Sequence, residues 1–142
     1  MLRRIKLTQE RILDQKKRFH NPFFSEELNK FLNVMLKHEF SGKDKLIKQL
    51  NNLRIKKIEE DAGFKAFVFE VVDQNLLDYE GIPYPAIDML VSSDSHYETE
   101  FLLHWGECVK ELEIFNVAGE DYLELENFEN IQFYNFDENK YE

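Results

Sequence analysis

The chain has 142 residues, 43% of them hydrophobic and 14% aromatic, with a formal net charge of −10. That composition suits one domain with a packed core and excludes a disordered polyelectrolyte. The single cysteine, Cys108, excludes an internal disulfide and a multi-cysteine metal site. There is no apolar run of the roughly 18 residues a membrane helix needs, and MLRRIKLTQERILDQKKRF resumes its charges before an apolar stretch of signal-peptide length forms. The expectation is a soluble cytoplasmic protein with no membrane partner.

The net figure hides a split. Residues 1–60 hold fifteen Lys/Arg against eight Asp/Glu, whereas residues 61–142 hold three lysines (Lys65, Lys110 and Lys140) against twenty acids. Such a field bears on solubility and association rather than on fold.

In chain order, Thr8 is placed to cap a helix over about 9–18, which His20-Asn21-Pro22 ends because the residue before a proline avoids helical angles. Ser25 caps a second helix with Glu26 and Glu27 in its first turn. Leu28, Phe31, Leu32, Met35 and Leu36 form its apolar stripe, Lys37 and His38 its last turn, and Gly42 lies beyond its end. A short third helix over about 43–51 presents Leu46, Ile47 and Leu50.

The period then shortens toward two. Leu53–Glu60 and Phe64–Val72 read as strands around a tight turn at Asp61-Ala62-Gly63. The second is apolar on both faces, the pattern of a central, doubly covered strand. Asp73–Pro85 reads as a loop, and Ala86–Val91 as a third strand. Tyr97–Trp105 and Cys108–Asn116 make a hairpin, and Tyr122–Phe128 is a weak last element. The fold class is α+β, with N-terminal helices packed on one face of an antiparallel meander of about five strands. Residues 1–142 form a single domain: 1–52 mainly helical, 53–128 mainly strands, and 129–142 a frayed tail.

The hairpin concentrates the charge. A turn centred on Gly106-Glu107 pairs Trp105 with Cys108, Leu103 with Lys110, Phe101 with Leu112 and Thr99 with Ile114, and keeps one face apolar. The other face then carries Glu98, Glu100, His104, Glu111 and Glu113, with Glu100 directly opposite Glu113 as a like-charge pair. That face reads as a docking surface for something cationic, with an ordinary solvated sheet face as the plain alternative. A second functional reading is a small metal- or ligand-binding enzyme using His96, Glu98, Glu100 and His104, because imidazole with carboxylates suits zinc or manganese. Against it, alternate residues of one strand lie roughly 6.5–7 Å apart, so such ligands converge only with help from a neighbouring strand.

Other candidates have plainer explanations. Cys108 beside His104 lacks a third group or a basic cluster to activate it, and free cysteines usually pack as small apolar groups. Trp105 and Phe101 read as core. Asp88, among apolar neighbours in AIDMLV, reads as outward-facing, with a buried acid of raised pKa as the alternative. The basic residues Arg3, Arg4, Lys6, Arg11, Lys16, Lys17 and Arg18 come with no recognition-helix or RNA-binding pattern, and the nearby acids repel phosphate, so no nucleic-acid partner is expected. Glycine-rich phosphate loops are absent, and no cofactor is expected.

From Phe40 onward, KLIKQLNNL, GIPYPAIDML, EFLLHWGECVKELEIF and the following Gly-Glu-Asp resemble a family of small bacterial α+β domains of unknown function. These carry an LLH…G…ELE hairpin and occur partly beside secreted toxins as immunity-like proteins. The resemblance spans roughly residues 40–125 and brings no catalytic residue with it. It implies a non-enzymatic, cytoplasmic protein-binding module that neutralises a basic, nuclease-type toxin. Glu98, Glu100, Glu111 and Glu113 are then the contacts, with His104 and Trp105 near the rim. A homo-oligomer, the basic half of one copy against the acidic half of another, is a third arrangement.

Overall fold

The computed structural model of the chain describes residues 18–77, 86–93, 96–105, 109–116 and 129–142. Two helices, α1 (Glu26–Met35) and α2 (Lys43–Leu50), precede seven strands: β1 (Leu53–Asp61), β2 (Phe64–Val71), β3 (Ile87–Ser93), β4 (His96–Trp105), β5 (Val109–Asn116), β6 (Asn130–Asn135) and β7 (Lys140–Tyr141). The expected helix over 9–18 and the element at 122–128 lie outside the described residues, except that Arg18 is not helical. Among the described residues no helix is long and apolar enough to cross a membrane.

Local chemistry sets the helix ends. Ser25 is extended and its Oγ accepts from the Leu28 amide at 3.2 Å, with Glu26 and Glu27 in the first turn. The helix stops at Met35, short of the expected Lys37 and His38. The Lys37 and His38 amides turn instead to the carbonyls of Val34 and Met35, three residues back, which tightens the chain out of the α-helix. Gly42, at φ 93°, begins α2 from a left-handed conformation that a side chain would resist.

The strands form one antiparallel sheet of order β1-β2-β5-β4-β3-β6-β7. It is larger than the expected five-stranded meander, and it is not sequential. After the β1–β2 hairpin, turned at Ala62-Gly63, β2 takes β5 as its other neighbour. The residues expected to fray pair instead: β6 runs beside β3, with Met89 opposite Phe133, and β7 closes on β6, with Tyr134 opposite Tyr141. The last turn is built for that reversal, since Asn135 Oδ1 accepts from the amides of Asp137 and Glu138 and Asn139 sits at φ 54°.

One sheet face is apolar. Register aligns Phe67 and Phe69 of β2, Leu112 and Ile114 of β5, Phe101 and Leu103 of β4, and Ile87, Met89 and Val91 of β3, all buried in one cluster. Leu28, Phe31, Leu32 and Met35 of α1 and Leu46 and Leu50 of α2 join it, with the Phe31 ring 5.1 Å from that of Phe101. Burying such side chains stabilises the fold by about 1.5–3 kcal/mol each.

Most polar side chains buried at this core are matched, although Gln49 of α2, whose Nε2 donates to the Leu76 carbonyl, keeps its Oε1 without a donor among the described residues. Asn21 is fully buried, and its Nδ2 donates to the carbonyls of Leu50 at 2.9 Å and Leu53 at 2.8 Å, joining the end of α2 to the start of β1. On α1, Asn29 and Asn33 clamp the incoming chain: each side chain accepts an amide and returns a donor to the carbonyl of the same residue, Asn21 and Phe19 respectively. Lys65, the one lysine of β2, lies on this face with its ammonium 3.2 Å from Glu27 and 3.1 Å from Glu60.

Candidate functional site

The opposite face of β3, β4 and β5 holds the acids. Alternation places Asp88, Leu90 and Ser92 of β3 there, with Glu98, Glu100, Leu102 and His104 of β4 and Glu111, Glu113 and Phe115 of β5. Glu98 is exposed, and the rest are half-buried. These described positions include no Lys or Arg.

The residues expected on this face are on it, but with different neighbours. Trp105 pairs with Val109, leaving three residues between the strands, and the ladder then skips one position between His104 and Trp105. The two offsets shift the expected register by two residues. His104 therefore faces Glu111, Leu102 faces Glu113 and Glu100 faces Phe115. A two-residue shift preserves the faces and replaces every partner, so the expected Glu100–Glu113 pair does not form. The turn at 106–107 and Cys108 lie outside the described residues, as do the side chains of His96 and Trp105.

Two clusters result. In the first, His104 Nε2 lies 3.0 Å from Glu113 Oε1, and one donor atom each from His104, Glu111 and Glu113 falls within 4.8 Å of the others. Burial, followed by the hydrogen bond and charge of Glu113, pushes the Glu111 carboxyl above its usual range.

The second cluster was only partly legible in the sequence. Tyr141 of β7 brings its hydroxyl to 3.0 Å from Asp88 Oδ2 and 2.9 Å from Glu100 Oε2. A phenol has one proton and can donate to one carboxylate at a time. Burial, followed by the charge of the neighbouring Glu100, pushes the Asp88 carboxyl up to about 6. Burial and both carboxylates in turn hold Tyr141 in its protonated form. Asp88 Oδ1 is buried without a donor among the described residues. Asp88 thus points away from the apolar core, as its place in AIDMLV suggests, and is nevertheless a half-buried acid of raised pKa. The missed partner is Tyr141, and the alternation of Ile131 and Phe133 with Asn130 and Gln132 was the available signal that the end contains a strand.

Of the expected metal quartet, the described side chains of Glu98, Glu100 and His104 go to different neighbours, and that of His96 lies outside the described residues. Glu100 turns to Asp88 and Tyr141, Glu98 is exposed, and His104 meets β5. Compared with known proteins, the chain matches no family model, no curated protein and no solved structure.

Proposed function

We propose that this chain is a protein-binding module that offers the acidic face of β3, β4 and β5 to a cationic partner, with the helices left on the other face. The supporting observation is the composition of that face: Asp88, Glu98, Glu100, Glu111 and Glu113 stand on three adjacent strands with no Lys or Arg among them. Half-buried carboxylates that face one another gain when a cation arrives, because it removes their mutual repulsion and restores the solvation they lost. Neighbouring strands lie about 4.8 Å apart, so a rigid sheet sets these charges on a fixed grid. Carboxylates so arrayed can stand in for phosphates, and the resemblance to immunity-like domains makes the partner a basic nuclease-type toxin met in the cytoplasm. Glu98, Glu100, Glu111 and Glu113 are the contacts, joined by Asp88, with His104 and Trp105 at the end of β4 forming the rim.

The test is capture on the tagged native chain, compared with a Glu98→Lys/Glu111→Lys variant that melts like the parent. A basic protein held at low salt, released at high salt and bound at least about tenfold more weakly by the variant supports the reading. A partner held equally by both proteins overturns it.

A further inference from the structure

We infer that His104, Glu111 and Glu113 form a binding site for a divalent transition metal of the zinc or manganese class. This goes beyond the protein-binding reading and stands whether or not a protein docks on the same face.

Register builds the site. His104 and Glu111 are direct cross-strand neighbours, and Glu113 follows two residues along β5 on the same face. A strand alone cannot bring its own alternate residues together, but two adjacent strands can, and here they do. The His104 and Glu113 donors are 3.0 Å apart, and all three donor atoms lie within 4.8 Å of one another. Donors bound to one zinc at about 2.0–2.2 Å sit roughly 3.3 Å from each other in a tetrahedron, a spacing close to the one these donor atoms already have. The backbone beneath is held on both sides, since β5 lies between β2 and β4 and β4 lies between β5 and β3. His104 and Glu113 retain 20% and 27% side-chain exposure, which leaves an entry path and room for a water as a fourth ligand.

The donor set selects the metal. One imidazole nitrogen with two carboxylates suits zinc or manganese. Magnesium and calcium prefer oxygen alone, and Cu(I) prefers thiolate or thioether sulfur. The nearest lysine along the same cross-strand row is Lys57 of β1, beyond Val68, and its ammonium is engaged by Glu59 at 2.8 Å. A dication would bring the two glutamates of the site from a charge of −2 to near zero.

The experiment is calorimetric titration of the purified native chain with zinc chloride and manganese chloride, with magnesium chloride alongside. One equivalent of zinc per chain is expected, bound at least about tenfold more tightly than magnesium. His104→Ala and Glu113→Gln should each weaken zinc binding at least about tenfold, while His20→Ala, at an exposed histidine far along the chain, leaves it unchanged. Long-range proton–nitrogen spectra of the wild-type protein supply a readout that needs no variant: zinc should shift the His104 imidazole nitrogens before those of His20, His38 or His96. The inference is overturned by the absence of stoichiometric zinc binding, by affinity that survives both folded variants, or by zinc shifting another histidine first.

Discussion

The two faces of the sheet treat their polar groups in opposite ways. On the apolar face, most buried polar side chains are matched to backbone or to an opposite charge, the Oε1 of Gln49 being an exception. Asn21 spends both side-chain functions on backbone, Asn29 and Asn33 each clamp one residue of the incoming chain, and Lys65 meets two glutamates. On the acidic face, carboxylates are set against carboxylates. Asp88 and Glu100 share a phenol, and Glu111 and Glu113 crowd together beside His104. Neutral amides with fixed geometry lock a fold, because each unmatched atom would carry a full desolvation penalty. Acids held against acids do the reverse: they leave the folded chain with affinity for protons or cations that it does not itself supply. The contrast separates the residues that specify the fold from those that advertise a surface.

The largest expected effect comes from breaking the matched side. Asn21→Ala strands the carbonyls of Leu50 and Leu53 and the Phe23 amide, and should remove about 3 kcal/mol from the urea-unfolding free energy. A loss under about 1 kcal/mol would mean that water or a rearrangement replaces the knot. The acidic side should respond to pH instead. The Asp88 pKa is raised from 3.8 to about 6, so folding favours its protonated form. That contribution is complete below about pH 4 and disappears as pH climbs through about 6. Asp88→Asn keeps a donor there without the charge. Relative to this variant, the wild type should lose roughly 1 kcal/mol between these limits, a figure reduced for partial exposure. Parallel stability curves for the two proteins would show that folding does not raise the Asp88 pKa. The smallest effect belongs to Tyr141→Phe. The phenol stabilises the ionised form of Asp88, so its removal should move the Asp88 carboxyl pKa further upward in carbon-detected NMR, at a stability loss below about 1 kcal/mol. A downward shift would show that Tyr141 does not donate to Asp88.

Local pattern carried much of this into the sequence. The Ser25 cap, the apolar stripe of α1 and the alternation in FLLHW and ELEIF locate elements and faces, because helix and strand periods are written residue by residue. Partners are not written locally. The β4–β5 register depends on how many residues the turn takes and where the ladder slips, so face membership survived while the Glu100–Glu113 pairing did not. The adjacency of β2 and β5 joins segments more than forty residues apart, which no periodicity records. Asp88 was recognisable as a residue of note, but its consequence needed Glu100 from the neighbouring strand and Tyr141 from a two-residue strand too short to announce itself.

The slip in β1 between Ile55 and Lys57 has a separate consequence. It leaves Lys56 unpaired on the outermost strand, in a run that also carries Arg54, Lys57, Glu59 and Glu60. At the other margin, β7 offers two residues. A twisted, charged border and a truncated one make poor templates for an incoming strand. Among the described residues, neither border of the sheet therefore favours lengthening into a ribbon by further copies.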